Sequence, residues 1–149
     1  MTPLEPHYQY ATACYVAFFE RLERGTLSDL DRLLAPDVHF KDPFNDVRGR
    51  DAVRNIFEHM FDTAEAPRFH VDDWMYRDAA ASIRWRFQCE VQNLSIAFAG
   101  MSYVRFNERG EVMEHIDYWD PAEGIYEQAP LLGWLMRALR RRFATAKVK

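Results

Sequence analysis

At 149 residues, with 48% apolar and 28% charged side chains, the chain has the length of a single domain around one core. A net charge of −4 and a pI near 5.7 exclude an extended nucleic-acid surface, since counterion release needs many clustered cations and only the C-terminus is basic. Cys14 and Cys89 lack any CxxC or Cys/His ligand spacing, and His39, His59 and His70 occur singly, so neither a disulfide framework nor a metal site is expected. The start, Met1-Thr2-Pro3-Leu4-Glu5-Pro6, has no basic segment before an apolar stretch, and no run of about 18 apolar residues exists. The chain reads as a soluble, cytoplasmic protein.

From Pro6 to Arg24, Tyr8, Ala11, Tyr15, Phe18 or Phe19, and Leu22 recur at three and four, the period of an amphipathic helix that Gly25 stops. Ser28 and Asp31 resemble a capping box opening a short helix through Leu30, Leu33 and Leu34, which Pro36 ends. A short strand follows through His39 and Phe40 to Asp42-Pro43. After a Gly-containing loop, Val53, Ile56, Phe57, Met60 and Phe61 line one stripe of a helix from Arg50 to Asp62.

The period then changes to two. Phe69 to Tyr76 reads as a strand, with a turn at Arg77-Asp78. Ile83, Trp85, Phe87 and Cys89 alternate with Ser82, Arg84, Arg86 and Gln88, giving a strand with one buried face. A long strand from about Leu94 to Phe106 turns at Asn107-Glu108-Arg109-Gly110 and returns from Val112 to Asp120. Helices first and an antiparallel meander afterwards indicate an α+β fold. From Pro130 to about residue 144, Leu132, Leu135, Met136, Leu139 and Phe143 form a stripe beside Arg137, Arg140, Arg141 and Arg142. This predicts an amphipathic C-terminal helix packed on the sheet or a partner chain, with contact to a membrane surface through its basic face and Trp134 as the lesser alternative.

Two acidic strand ends carry the candidate chemistry. Asp42 precedes a proline, which biases it to extended backbone at a strand terminus. There it either looks into a pocket or accepts backbone N–H bonds in the turn. In the run Glu114-His115-Ile116-Asp117-Tyr118-Trp119-Asp120-Pro121, alternation puts His115, Asp117 and Trp119 on one face. If that face is reversed, Asp117 instead pairs with Arg84 or Arg86, and His115 has a plain structural reading as a satisfied strand histidine. Trp85, Phe87 and Trp119 are core or cavity wall, and Cys89 is a small buried hydrophobe.

The segments Arg24-Gly25-Thr26-Leu27 through Leu34-Ala35-Pro36-Asp37-Val38-His39-Phe40-Lys41-Asp42-Pro43, and Val104 through Gly110-Glu111-Val112 to Trp119, resemble the nuclear transport factor 2-like superfamily, in its SnoaL-like and ketosteroid-isomerase-like branch. The resemblance spans about residues 8 to 120 of one domain, 1–149. It implies a highly curved antiparallel sheet wrapped around helices into a cone with a mostly apolar pocket. It also implies a homodimer through the outer sheet face, where Arg84, Arg86, Tyr103 and Arg105 lie. Isomerases, dehydratases, cyclases, epoxide hydrolases and binding modules all use this fold.

By the same resemblance, Asp42 matches the isomerase's general base, while its oxyanion donors fall on Phe18 and Ser102, neither a comparable donor. Tyr15 lies one helical turn from Phe18 and is the available substitute. The late strand resembles SnoaL-like cyclases, which makes Asp117 the acid–base group and His115 its proton-sharing partner. The expectation is a pocket protein that serves as a catalyst of isomerase, cyclase or dehydratase type, needing no cofactor or metal. It would act on a small hydrophobic cyclic molecule, with Asp42, Asp117 and His115 catalytic and Tyr15, Phe18, Phe57, Trp85, Phe87, Ser102 and Trp119 around the ligand; a non-catalytic binding or accessory module is the alternative.

Overall fold

In the computed structural model, which describes residues 5–126, 133–135 and 141, helix α1 (Glu5–Glu20) turns Tyr8, Thr12, Tyr15, Val16 and Phe18 into the core. Thr12 tolerates full burial because its hydroxyl donates to the Tyr8 carbonyl at 2.8 Å within the same helix. The helix ends at Glu20, before the expected Gly25 stop. A 3-10 turn (Arg24–Asp29) follows, with a reciprocal cap between Glu23 and Thr26 in place of the one expected at Ser28. Helix α2 (Leu30–Leu33) runs straight into strand β1 (Leu34–Lys41).

Pro36 therefore lies inside a strand and does not terminate a helix. It falls between the Leu34–Val112 and His39–Glu114 pairs, where the ladder is irregular, so its missing N–H costs no regular bond. The expected loop after Asp42 contains a three-residue strand, β2 (Asp46–Arg48), paired back onto His39, Phe40 and Lys41. Helix α3 (Arg50–Thr63) buries Val53 and Phe57.

Strands β3 (Glu65–Arg77), β4 (Ala80–Val91), β5 (Leu94–Phe106) and β6 (Val112–Tyr118) form the expected antiparallel meander. Gln92 and Asn93, both at positive φ, make the two-residue turn between β4 and β5. A short helix, α4 (Pro121–Gly124), is capped by Asp120, which accepts from the Ala122 amide at 2.9 Å.

The described strands form one sheet in the order β2-β1-β6-β5-β4-β3. The fold is α+β, but the sheet is mixed where a wholly antiparallel one was expected, because β1 and β6 run parallel. The chain leaves β1 through β2, α3 and the meander, and this long crossover returns β6 beside β1 in the same direction. Helix α3 touches β1 and β2 near one edge and β3 at the other. A single helix reaches both only if the sheet bends round it.

The helix expected over residues 130–144 falls outside the described residues, apart from the helical positions 133–135 and 141. Among the described residues no helix is long and apolar enough to cross a membrane.

Candidate functional site

The site begins with a break in strand β6. Regular alternation from Val112, which is buried, would point Glu114 and Ile116 inward and expel His115 and Asp117. Instead Arg105 pairs with Glu114 while Phe106 pairs with Val112, leaving Met113 as an extra, exposed residue. This bulge shifts the facing by one, so His115 and Asp117 both turn to the interior.

There they join a hydrogen-bonded chain running from strand β4 to helix α1. Trp85 Nε1 donates to Ser102 Oγ at 2.9 Å, and the Ser102 hydroxyl donates to Asp117 Oδ1 through a short contact. His115 Nε2 lies 2.6 Å from the same oxygen, and His115 Nδ1 lies 2.7 Å from the Tyr15 hydroxyl. Burial, and secondarily the charge on Asp117, hold the Tyr15 phenol well above its ordinary pKa of 10.0, so it keeps its proton and donates it to Nδ1. Together with the Asp117 carboxylate, which can only accept, that fixes the tautomer: the imidazole N–H is on Nε2 and points at Asp117.

The imidazole is 2% exposed and packed among rings, with Phe40 at 4.8 Å and Phe19 at 5.7 Å between centroids. Two donors thus converge on Oδ1 of Asp117. Among the described residues no donor is bonded to Oδ2.

Between α3 and the inner sheet face lies a cavity of about 590 Å³. Its walls are ring-rich: Phe57 on α3, Phe40, Phe69, Trp85, Phe87 and Phe98 on the sheet, and Phe44 and Trp119 near the Asp42 turn. Phe98 and Trp119 stack at 4.1 Å, and Phe44 meets Trp119 edge-on at 5.5 Å. Asp117 and Trp85 border this cavity and also a smaller recess of about 20 Å³ that touches Ser102 and His115. Asp117 is therefore the titratable member of the network that reaches the main cavity, and His115 stands behind it.

Asp42 also lines the cavity, just past the end of β1. Its Oδ1 accepts from the Phe44 amide at 2.8 Å, the Asn45 amide at 2.7 Å and Asn45 Nδ2 at 3.1 Å, and Oδ2 accepts from Asn45 Nδ2 at 3.1 Å. The carboxylate organises the β1–β2 hairpin as well as facing the cavity.

Of the residues expected around a ligand, Phe57, Trp85, Phe87 and Trp119 line the main cavity and Ser102 the recess. Tyr15 and Phe18, 1% and 6% exposed, border neither. Tyr15 sits behind His115, and Phe18 packs edge-on against Phe19 at 5.2 Å. The salt bridge considered for Asp117 does not form: Arg86 grips Asp72 on the outer face at 2.9 to 3.1 Å, and Asp117 faces inward.

The β1–β2 turn contributes Asn45 and α3 contributes Asn55 and His59, which sequence reading did not assign to the site. Asn55 and His59 stand four apart beside the Ile56–Met60 stripe, a spacing that would have marked them as the rim of the same helix face. Cys89 lines the wall, and burial pushes its thiol up from its ordinary value. Among the described residues no group of three or more His, Cys, Asp or Glu is placed to hold a metal ion.

A family model described as the SnoaL-like domain matches residues 15–115. No curated protein matches the chain in sequence. Among solved structures, a nuclear-transport-factor-2-like protein of unknown function from Burkholderia pseudomallei is 19% identical with a TM-score of 0.68, over 78% of this chain and 92% of its own. An LEH-like epoxide hydrolase from Mycobacterium tuberculosis has 14% identity and a TM-score of 0.68 over 93% of this chain and 99% of its own. A putative polyketide cyclase from Xanthomonas campestris pv. campestris has 18% identity and a TM-score of 0.65 over 78% and 94%. At such identities the likeness is one of fold.

Proposed function

The chain belongs to the SnoaL-like domain family, and from that premise we propose that it is a cofactor-free acid–base enzyme, of isomerase, cyclase or dehydratase type, acting on a small hydrophobic cyclic molecule. The observation that carries this reading is the division of labour on Asp117. One carboxylate oxygen is held by Ser102 and His115, and the carboxylate borders a ring-lined cavity.

In this reading Oδ2 of Asp117 takes a proton from an activated C–H of the substrate and later returns it to carbon or oxygen. His115 does not touch the substrate. Its Nε2–H stabilises the carboxylate between turnovers and keeps its bond to Oδ1 while Oδ2 carries the proton and Asp117 acts as the acid. Asp42 is a second carboxylate on the same cavity, fixed in place by its turn.

A second reading, a non-catalytic ligand-binding or accessory module, is favoured by one observation. The network's donors are all committed internally: Trp85 to Ser102, Ser102 and His115 to Asp117, and Tyr15 to His115. None of them is left for a developing oxyanion.

Deuterium exchange at the α C–H of cyclic ketones and β,γ-enones, followed by NMR in D2O, separates the two. The enzyme reading expects exchange that falls by about 100-fold or more in Asp117→Asn. Binding of these compounds without exchange above the Asp117→Asn background would establish the module instead.

The reading extends to a homodimer through the outer sheet face and a cytoplasmic site of action. Exposed Met75, Met101, Tyr103 and Tyr118 support the first. Equilibrium sedimentation of Tyr103→Glu against the parent tests it.

A further inference from the structure

The cavity has a charge as well as a shape. Eight of its lining residues are Phe or Trp and two are carboxylates, Asp42 and Asp117, while among the described residues lining it none is lysine or arginine. The hydrogen bonds to Asp42 all come from neutral N–H groups of Phe44 and Asn45. Those to Asp117 come from Ser102 and the Nε2–H of His115. Both carboxylates thus face a mostly apolar space without a fixed cation opposite them.

Negative charge at an apolar wall is costly when no counter-charge is near. The rings add a second term of the same sign, because the faces of Phe and Trp attract cations and do not attract anions. An anionic ligand would meet both terms as repulsion and would exchange its hydration for at most the Asn55 amide and the His59 imidazole, the Asn45 amide being bonded to Asp42. A neutral ligand would gain from ring contact alone. A ligand with a compact, weakly hydrated positive charge would gain from both.

The two features coincide at one end of the cavity. The Phe44 amide donates to Asp42, the Phe44 ring meets Trp119, and Trp119 stacks on Phe98. A carboxylate and three rings therefore bound the same corner.

We propose that the cavity selects hydrophobic molecules carrying a substituted ammonium or comparable cationic centre, held at the corner formed by Asp42, Phe44, Trp119 and Phe98. The orientation that then turns a ligand carbon toward Asp117 rests on the proton-transfer reading above; the charge preference does not. Phosphorylated, carboxylated and sulfated ligands are excluded by the same charge.

Isothermal titration of the full chain with three probes of matched size tests this: benzyltrimethylammonium, its neutral isostere neopentylbenzene, and benzylphosphonate. The ammonium is expected to bind about tenfold or more tighter than the isostere, since desolvated cation–π contact and the carboxylate act together. The phosphonate is expected not to bind. Asp42→Asn, which keeps an acceptor for the Phe44 and Asn45 amides, should lower the ammonium affinity by about fivefold or more and leave neopentylbenzene unchanged. Trp119→Leu should narrow the difference between the two probes without touching a carboxylate.

Equal or tighter binding of the isostere, measurable binding of the phosphonate, or no binding of any probe would each overturn the proposal. The exchange experiment is independent of these outcomes. Ammonium selectivity without exchange leaves this inference standing and removes catalysis, whereas exchange on neutral ketones without ammonium selectivity removes this inference alone.

Discussion

The Tyr15 hydroxyl lies 2.7 Å from Nδ1 of His115, across 100 residues of sequence, with both side chains almost fully buried. This contact from helix α1 to strand β6 decides which nitrogen of His115 carries the proton, and so which way the imidazole serves Asp117. Tyr15→Phe removes the donor and leaves a buried acceptor unmatched, at a cost of about 1–3 kcal/mol. Urea unfolding should show that loss, and nitrogen NMR of the imidazole should show Nε2–H dominance weakening. A loss below about 0.5 kcal/mol with the tautomer unchanged would contradict this role.

The same phenol sets a dependence on alkaline pH. Its folded pKa is raised above 10.0, by burial first and by Asp117 second, so the folded state keeps a proton that the unfolded chain releases above about pH 10. Stability attributable to Tyr15 is therefore fully present below that pH and is lost as pH rises toward the folded pKa. The slope approaches about 1.4 kcal/mol per pH unit for one proton. Unfolding free energies measured from pH 9 upward should fall more steeply in the parent than in Tyr15→Phe; parallel curves would remove Tyr15 from this linkage.

Much of this arrangement was legible in the sequence where one local pattern dominates. The 3-to-4 spacing of Val53, Phe57 and their neighbours gave α3, and the alternation from Ile83 to Cys89 gave β4 with its correct buried face. That His115 and Asp117 share a face followed from alternation within their own run, and that the face is the inner one followed only from the family resemblance; counting from Val112 would have reversed it. Only the pairing with Arg105 and Phe106 reveals the bulge at Met113. Strand β2 is three residues long, too short for periodicity to register, and its pairing is directed by the Asp42–Asn45 turn. Tyr15 was placed toward the ligand because the family resemblance put an oxyanion donor one helical turn away at Phe18, but an inward helix face does not say whether it meets a cavity or another side chain. Thr12 escaped notice for a related reason: its polarity is satisfied by Tyr8 one turn back.

Asp42 carries a structural load that can be separated from any chemistry. Its Oδ1 takes three N–H donors that close the β1–β2 turn. Asp42→Ala leaves the Phe44 and Asn45 amides without that acceptor and should cost about 1–2 kcal/mol in urea unfolding. Asp42→Asn supplies a carbonyl oxygen at the same place and should recover most of the loss. Equal destabilisation by both would mean that the charge, and not the acceptor geometry, holds the turn.

Gly100 gives a further route to the network without altering any of its polar groups. A Cβ at this position would lie 2.5 Å from Cη2 of Trp85, 2.6 Å from its Cζ2 and 3.0 Å from Cβ of Trp119. Trp85 is buried between Phe69 and Phe98, so its indole cannot move aside without disturbing the 2.9 Å bond from Nε1 to Ser102. Gly100→Ala is therefore expected to cost about 1–3 kcal/mol by overpacking and to shift tryptophan emission. Gly25→Ala, whose Cβ would meet nothing within 4 Å, should stay within about 0.5 kcal/mol of the parent. If the damage travels through the indole, combining Gly100→Ala with Ser102→Ala should destabilise by less than the sum of the two single changes, because both remove the same hydrogen bond. Additive losses would show that Gly100 is needed only for the fit of Trp119.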